Sequence, residues 1–198
     1  MRTLETIIAD IRKLENELLQ EMQKKQDEYY YIIEGKRVKF EEETRRYHKT
    51  LAKTLRRYFA DASLGHIVTA PLIYFCFVPA IFMDAVVTIY QAICFRVYRI
   101  PRVNRSEYIV LDRHSLQYLN AIEKLNCVYC GYFNGLVAYA QEIAARTEQY
   151  WCPIKHARKL ATIHSRYHKF IEYGDGTDYQ NRLEALRDDF DDLRQRQA

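Results

Sequence analysis

The sequence predicts an all-α protein: an elongated N-terminal helical arm of coiled-coil pattern, a central re-entrant membrane hairpin and a C-terminal helical metal-binding unit. Six Gly and four Pro in 198 residues are few. No alternating strand-forming run is bounded by turn clusters, so helix is favoured nearly throughout. Apolar residues recur at helical steps near both ends, and residues 64–95 are apolar with Asp84 as their only formal charge. These shifts divide the chain into an amphipathic arm (1–62), an apolar hairpin with basic flanks (63–105), a helical Cys/His unit (106–173) and an acidic amphipathic helix (174–198).

In the arm, Leu4, Ile7, Ile11, Leu14, Leu18 and Met22 follow alternating steps of three and four. That stripe is narrow enough for a coiled-coil seam. It either packs on its own domain or pairs with a second copy or a partner helix, and a homo-oligomer is expected. Tyr29, Tyr30 and Tyr31 interrupt the pattern, and Gly35 marks a turn.

The apolar stretch follows Arg45, Arg46, Lys49, Lys53, Arg56 and Arg57 and precedes Arg96, Arg99, Arg102 and Arg105. One span takes roughly 20 apolar residues and two take about 40 plus a turn, so the length suits neither. Pro71 and Pro79 remove helical hydrogen bonds. Cationic flanks on both sides keep both ends cytoplasmic. A re-entrant hairpin in contact with membrane lipids meets all three conditions. The alternative is the buried hairpin of a soluble helical protein, with His66, Asp84 and Thr88 as hydrogen-bonded core groups. In the membrane reading, Asp84 either faces protein or water or forms the tip of the hairpin.

Residues 106–126 read as a helix or helical pair, and 134–151 as a strong helix. Pro153 suits the first turn of another helix running through Leu160, Ile163, Tyr167 and Ile171. After the breaker at 174–178, Tyr179, Leu183, Leu186, Phe190 and Leu193 share one stripe of a last helix. Its aspartates are expected to fold back on Arg158, Lys159, Arg166 and Lys169.

The candidate site is Cys127, Cys130, Cys152 and His156. Cys127 and Cys130 are two residues apart, Gly131 permits a turn, and Cys152 and His156 lie on one side of a helix beginning near Pro153. Together they suit a Cys3His tetrahedron holding zinc, with iron or copper as the alternative. A straight helix over 134–151 is about 27 Å long. Closure therefore requires the first pair to return along that helix, or the helix to break. A dithiol without metal and plain packing cysteines remain the other readings. Glu123, Glu142, Glu148, His114, His156 and His164 include di-iron ligand types, but no E-x-x-H spacing occurs. Glu142 and Arg146 read as an ordinary i, i+4 ion pair.

The run Cys127-Val-Tyr-Cys130-Gly131-Tyr132, with Cys152-Pro153 further on, resembles rubredoxin knuckles, which implies a local ligand geometry over those residues. The stretches YQAICF, LNAIEKLNCVYC and EIAARTEQYWCPIKHA are similar to uncharacterised bacterial membrane-associated proteins. That resemblance implies a bacterial membrane setting and a coherent Cys box, and with the cationic flanks the expected location is the cytoplasmic side of a bacterial inner membrane.

Five cysteines in an odd set suggest a reducing compartment, and the charged N-terminus predicts no cleaved secretory signal. No Gly-rich phosphate loop, G-x-S-x-G elbow or H-E-x-x-H helix occurs. The net charge of +4 is mild and its cations abut the apolar stretch, which favours lipid headgroups over nucleic acid. The expected function is a non-enzymatic membrane-associated scaffold or interaction protein with a structural metal site and partners at its terminal helices. The alternative is a redox or metal-handling protein using the same ligands.

Overall fold

The computed structural model describes residues 4–35 and 37–195, and only the backbone of 4–8, 12 and 195. Helix accounts for 67% and strand for 5%, in agreement with the helical class. The chain forms two compact units. The first comprises Met1–Ala62 with Asp112–Val128, and the second Ser63–Leu111 with Tyr129–Ala198. The expected hairpin, most of the Cys/His segment and the acidic end thus belong to one body, and 112–128 groups with the N-terminal arm.

In the first unit, α1 (Leu4–Glu28) is followed by a β-hairpin, β1 (Tyr31–Glu34) and β2 (Arg37–Phe40), paired antiparallel from Tyr31↔Phe40 to Glu34↔Arg37. This departs from an all-helical arm. The strands carry the β-forming Tyr31, Ile32, Ile33, Val38 and Phe40, and Gly35 at φ +60° supplies the turn. Helices α2 (Glu42–Leu51) and α3 (Leu55–Asp61) follow. Tyr31, Phe40, His48 and Tyr118 form an aromatic chain with successive centroids 5.6, 5.2 and 5.1 Å apart. Along α1, Ile11, Leu14, Leu18 and Met22 are exposed. The side chains of Leu4 and Ile7 lie outside the described residues.

The second unit begins with α4 (Leu64–Phe75), capped by Ser63 Oγ accepting from the His66 N–H at 3.3 Å. Helix α5 (Phe77–Tyr90) continues through Cys76, whose φ −61° and ψ −14° are helical, and ends in a π-helical turn at Gln91–Phe95. The re-entrant hairpin is therefore absent: 64–95 is one helical run of 32 residues. Pro71 is accommodated inside α4, and Pro79 falls in the first turn of α5, where a missing N–H costs little. The run ends at Arg99, in the left-handed region at φ +58°, with the Ile100 N–H bonded to the Phe95 carbonyl at 2.9 Å.

The chain then returns through an irregular segment containing the short α6 (Arg105–Tyr108). Next comes α7 (Ala121–Trp151), started by a capping box: Asn120 Oδ1 accepts from the N–H groups of Ile122 and Glu123, and Glu123 accepts from that of Asn120. From Tyr129 onward α7 runs parallel to α5. Phe77 meets Tyr129 and Tyr132, Thr88 meets Tyr139, Tyr90 meets Thr147, and Tyr98 meets Tyr150. The core is Ala80, Phe95, Ile100, Val103, Leu136, Tyr139 and Ile143, closed by Phe190 and Leu193.

Gly135 lets the return segment lie against α7. A Cβ there would stand 2.5 Å from the Tyr108 carbonyl oxygen and 2.9 Å from Ile109 Cα. Both are backbone atoms, so relief requires moving the segment. Gly135→Ala is expected to destabilise by about 1–3 kcal/mol, lowering Tm by about 2–12 °C in thermal unfolding followed by circular dichroism.

Two further helices differ from expectation. Residues 152–166 are a loop, not a helix: Ile154 pairs with Ile171 in an isolated parallel bridge, followed only by a 3-10 turn at Tyr167–Lys169. The segment carries many cations and no acid before Glu172, so a helix would gather repelling charges without i, i+4 partners. The acidic end splits at Asp189 into α8 (Tyr179–Asp188) and α9 (Asp191–Gln195). The break presents the Asp189 carbonyl to Gln149 Nε2 at 2.8 Å and Arg166 at 3.0 Å. Arg166 also pairs with Asp192, and Lys169 with Asp189 and Asp192. Burial works against the Asp192 charge, but the hydrogen bonds from Arg166 and Lys169 outweigh it and hold the carboxyl well below the usual carboxylate range.

Candidate functional site

The long helix 64–95 has two unlike sides. Asp84, Thr88 and Gln91 are spaced by four and three, which sets them on one face toward α7 and the return segment. Arg105 grips Asp84 with both arms of its guanidinium, at 3.0 and 2.6 Å, and Tyr132 donates to the same carboxylate at 3.0 Å. Asp84 therefore faces protein and is not a hairpin tip. Gln91, 2% exposed, accepts from the Val103 N–H at 2.9 Å and donates to the Val103 carbonyl at 3.3 Å and to the Tyr139 hydroxyl. Its amide takes the place of a paired strand for the return segment, whose backbone would otherwise be unsatisfied there. Below it, Arg146 is bound to Glu142 at 2.8 Å and to the Pro101 carbonyl at 2.8 Å, while Ser165 donates to Glu142 at 2.6 Å. Glu142 and Arg146 are both buried, so this is not the surface pair that the spacing suggests.

The opposite side is an exposed apolar ridge. Leu64, Val68, Leu72, Phe75, Val78, Phe82, Val86, Ile89, Ile93 and Val97 follow steps of three or four and are all exposed, Leu64 to 77% and Phe82 to 71%. From Leu64 to Val97 the ridge is about 50 Å long at 1.5 Å per residue. Such a length of aligned, uncovered apolar side chains is far outside what scattered surface residues give. Helix α4 has no buried residue at all, whereas α5 and the π turn bury Ala80, Gln91 and Phe95 on the far side.

Two of the sequence-predicted metal ligands, Cys127 and Cys130, lie one turn apart on α7, the first half-buried and the second exposed. Gly131 continues the helix instead of turning it. Cys152 follows the last residue of α7, and His156 lies in the loop beyond, its ring parallel to Tyr167 at 6.4 Å and its N–H donating to the Tyr167 hydroxyl at 2.9 Å. Because α7 is unbroken, Cys130 and Cys152 are separated by about 33 Å of helix. Metal–ligand distances are just over 2 Å, so the four residues do not form one ligand sphere within a chain. Among the described residues, no three of His, Cys, Asp and Glu are gathered as ligands. The knuckle-like spacing is here a helical spacing.

The roles of Gln91 and Tyr139 are not among the sequence expectations, whereas the pairing of Arg166 and Lys169 with the terminal aspartates is. For Gln91 a signal existed, since it continues the register of Asp84 and Thr88. Tyr139 carries no local sign of the groups it meets. Compared with protein-family models, characterised proteins and solved structures, the chain matches none.

Proposed function

We propose that this protein is a monotopic membrane-bound helical scaffold, with helix 64–95 lying in the plane of one leaflet. The supporting observation is the exposed ridge. It is about 50 Å long, whereas the hydrocarbon core is about 30 Å thick. Standing α5 upright would also carry Arg102, Asn104 and Arg105, exposed on the return segment and level with Gln91 and Asp84, toward hydrocarbon. Lying flat, the helix gives the ridge to acyl chains and leaves Asp84, Gln91 and the covering α7 on the water side. The basic flanks favour the cytoplasmic face of a bacterial inner membrane. The stripe of Ile11, Leu14, Leu18 and Met22 on α1 gives the scaffold its partner surface, for a second copy or a partner helix. Zinc or iron at the Cys/His set has no part in this proposal, because α7 holds its pairs apart.

The orientation is tested with the chain's single tryptophan. In a Trp151→Phe background, one Trp is placed in turn at Val68, Phe82 and Ile93, and quenching by doxyl groups at known lipid depths is measured. The in-plane helix gives the same depth at all three. A gradient, deepest near the middle and shallow at the ends, would establish a span instead.

A further inference from the structure

The acidic end covers Arg166 and Lys169 and leaves Arg158 and Lys159 exposed, without an ion pair among the described residues. Those two cations lie in a loop that is firmly closed at its base. The Ile171 N–H donates to the Pro153 carbonyl at 2.8 Å, the Lys155 N–H donates to that of Ile171 at 2.7 Å, and Lys155 pairs with Glu172. No acid occurs from Gln149 to Ile171, so nothing within the loop neutralises its tip. The tip combines its cations with an apolar residue, Ile163, 62% exposed. Residues 156–163 with Tyr167 line a hollow of about 430 Å³.

The segment that leads into the loop starts beside the end of the ridge. Trp151, at the end of α7 and half-exposed, packs edge-on against Tyr98 at 5.3 Å. Tyr98 directly follows Val97, the last residue of the ridge, and Arg96 and Arg99 flank it, both exposed. Tryptophan and cations at the end of an apolar surface are the residue types that occupy the headgroup level of a bilayer. We propose that residues 155–163, with Trp151 and Arg99, form a second membrane contact that binds the phosphate headgroups of acidic phospholipids. Arg158 and Lys159 provide the charge and Ile163 enters the interface. This rests on the in-plane reading and adds lipid selectivity to it.

The full chain is mixed with vesicles of phosphatidylcholine alone or with 30% phosphatidylglycerol as ~0.3 mole fraction of acidic lipid, a composition in which each juxtamembrane cation has its expected effect. Binding is read by flotation and by the emission of Trp151. The expected result is tighter binding to the acidic vesicles. Arg158→Ala/Lys159→Ala should weaken that binding by about 25-fold, fivefold per cation, and leave binding to neutral vesicles unchanged. Raising salt should erode the preference. Equal binding to both vesicles, or an unaffected double variant, overturns the lipid contact while leaving the ridge reading intact. Absence of binding to either vesicle overturns the ridge reading itself. Displacement from acidic vesicles by millimolar glycerol phosphate would assign the loop to a soluble phosphate ligand and also overturns the proposal.

Discussion

Replacing Leu72, Phe82 and Ile89 together with Asp is expected to move the protein from the membrane fraction to the soluble fraction. The three are exposed and lie on the ridge, away from the buried Ala80, Gln91 and Phe95. Each burial of a large apolar side chain contributes about 1.5–3 kcal/mol. Losing three therefore weakens partitioning by roughly three orders of magnitude or more, before the cost of bringing carboxylates to the interface. Folding should survive, because the helix still packs on α7 through Asp84, Thr88 and Gln91. Sedimentation with circular dichroism of the released protein checks both parts. If the variant sediments as before, the ridge is not what holds the chain to the membrane. Soluble recovery of the unaltered chain would refute membrane binding outright.

The largest loss of stability is expected from Glu142→Leu. Glu142 and Arg146 are 8% and 6% exposed, and Arg146 would be left with only the Pro101 carbonyl. Ser165 would lose its acceptor as well. Breaking a buried pair by removing one partner costs about 3–5 kcal/mol, because the remaining charge stays buried without compensation. The double variant Glu142→Leu/Arg146→Met removes that charge and should recover much of the loss. Thermal or denaturant unfolding of the three proteins decides the matter. A double variant as unstable as the single would show that packing, not charge, sets the cost.

Much of the helical architecture was legible because the apolar periodicity is strong. The stripe beginning at Leu4, the apolar run from Leu64 and the segment before Trp151 each announce a helix. What could not be read was how the helices face one another. Length, two prolines and cationic flanks together predict a hairpin, yet Pro71 and Pro79 fit a continuous helix, and the surplus length belongs to a ridge lying along one side. The Cys-x-x-Cys spacing is nearly one helical turn, so it fits a helix face as well as a knuckle, and only the continuity of α7 separates the two. The β-hairpin at Tyr31–Phe40 has a local signal, since Gly35 marks a turn and the aromatic and branched residues on either side of it favour strand. Burial of Glu142 and Arg146 depends on Pro101 and Ser165, distant in sequence, and no local pattern reports it.

The parallel course of α5 and α7 also bears on how the chain is made. The groups that cover the polar side of α5 are encoded 48 to 57 residues later: Tyr132 for Asp84, Tyr139 for Thr88 and Thr147 for Tyr90. At ribosomal rates of about 5–20 residues per second, that delay is about 2–11 s. During it the helix is uncovered on both sides, its ridge apolar and its other face carrying an acid without its tyrosine. A nearby bilayer can take the ridge at once, whereas Asp84 must wait for Arg105 and then Tyr132. Synthesis beside a membrane therefore favours an order in which lipid captures one side first and α7 closes the other, with the return segment already laid between them.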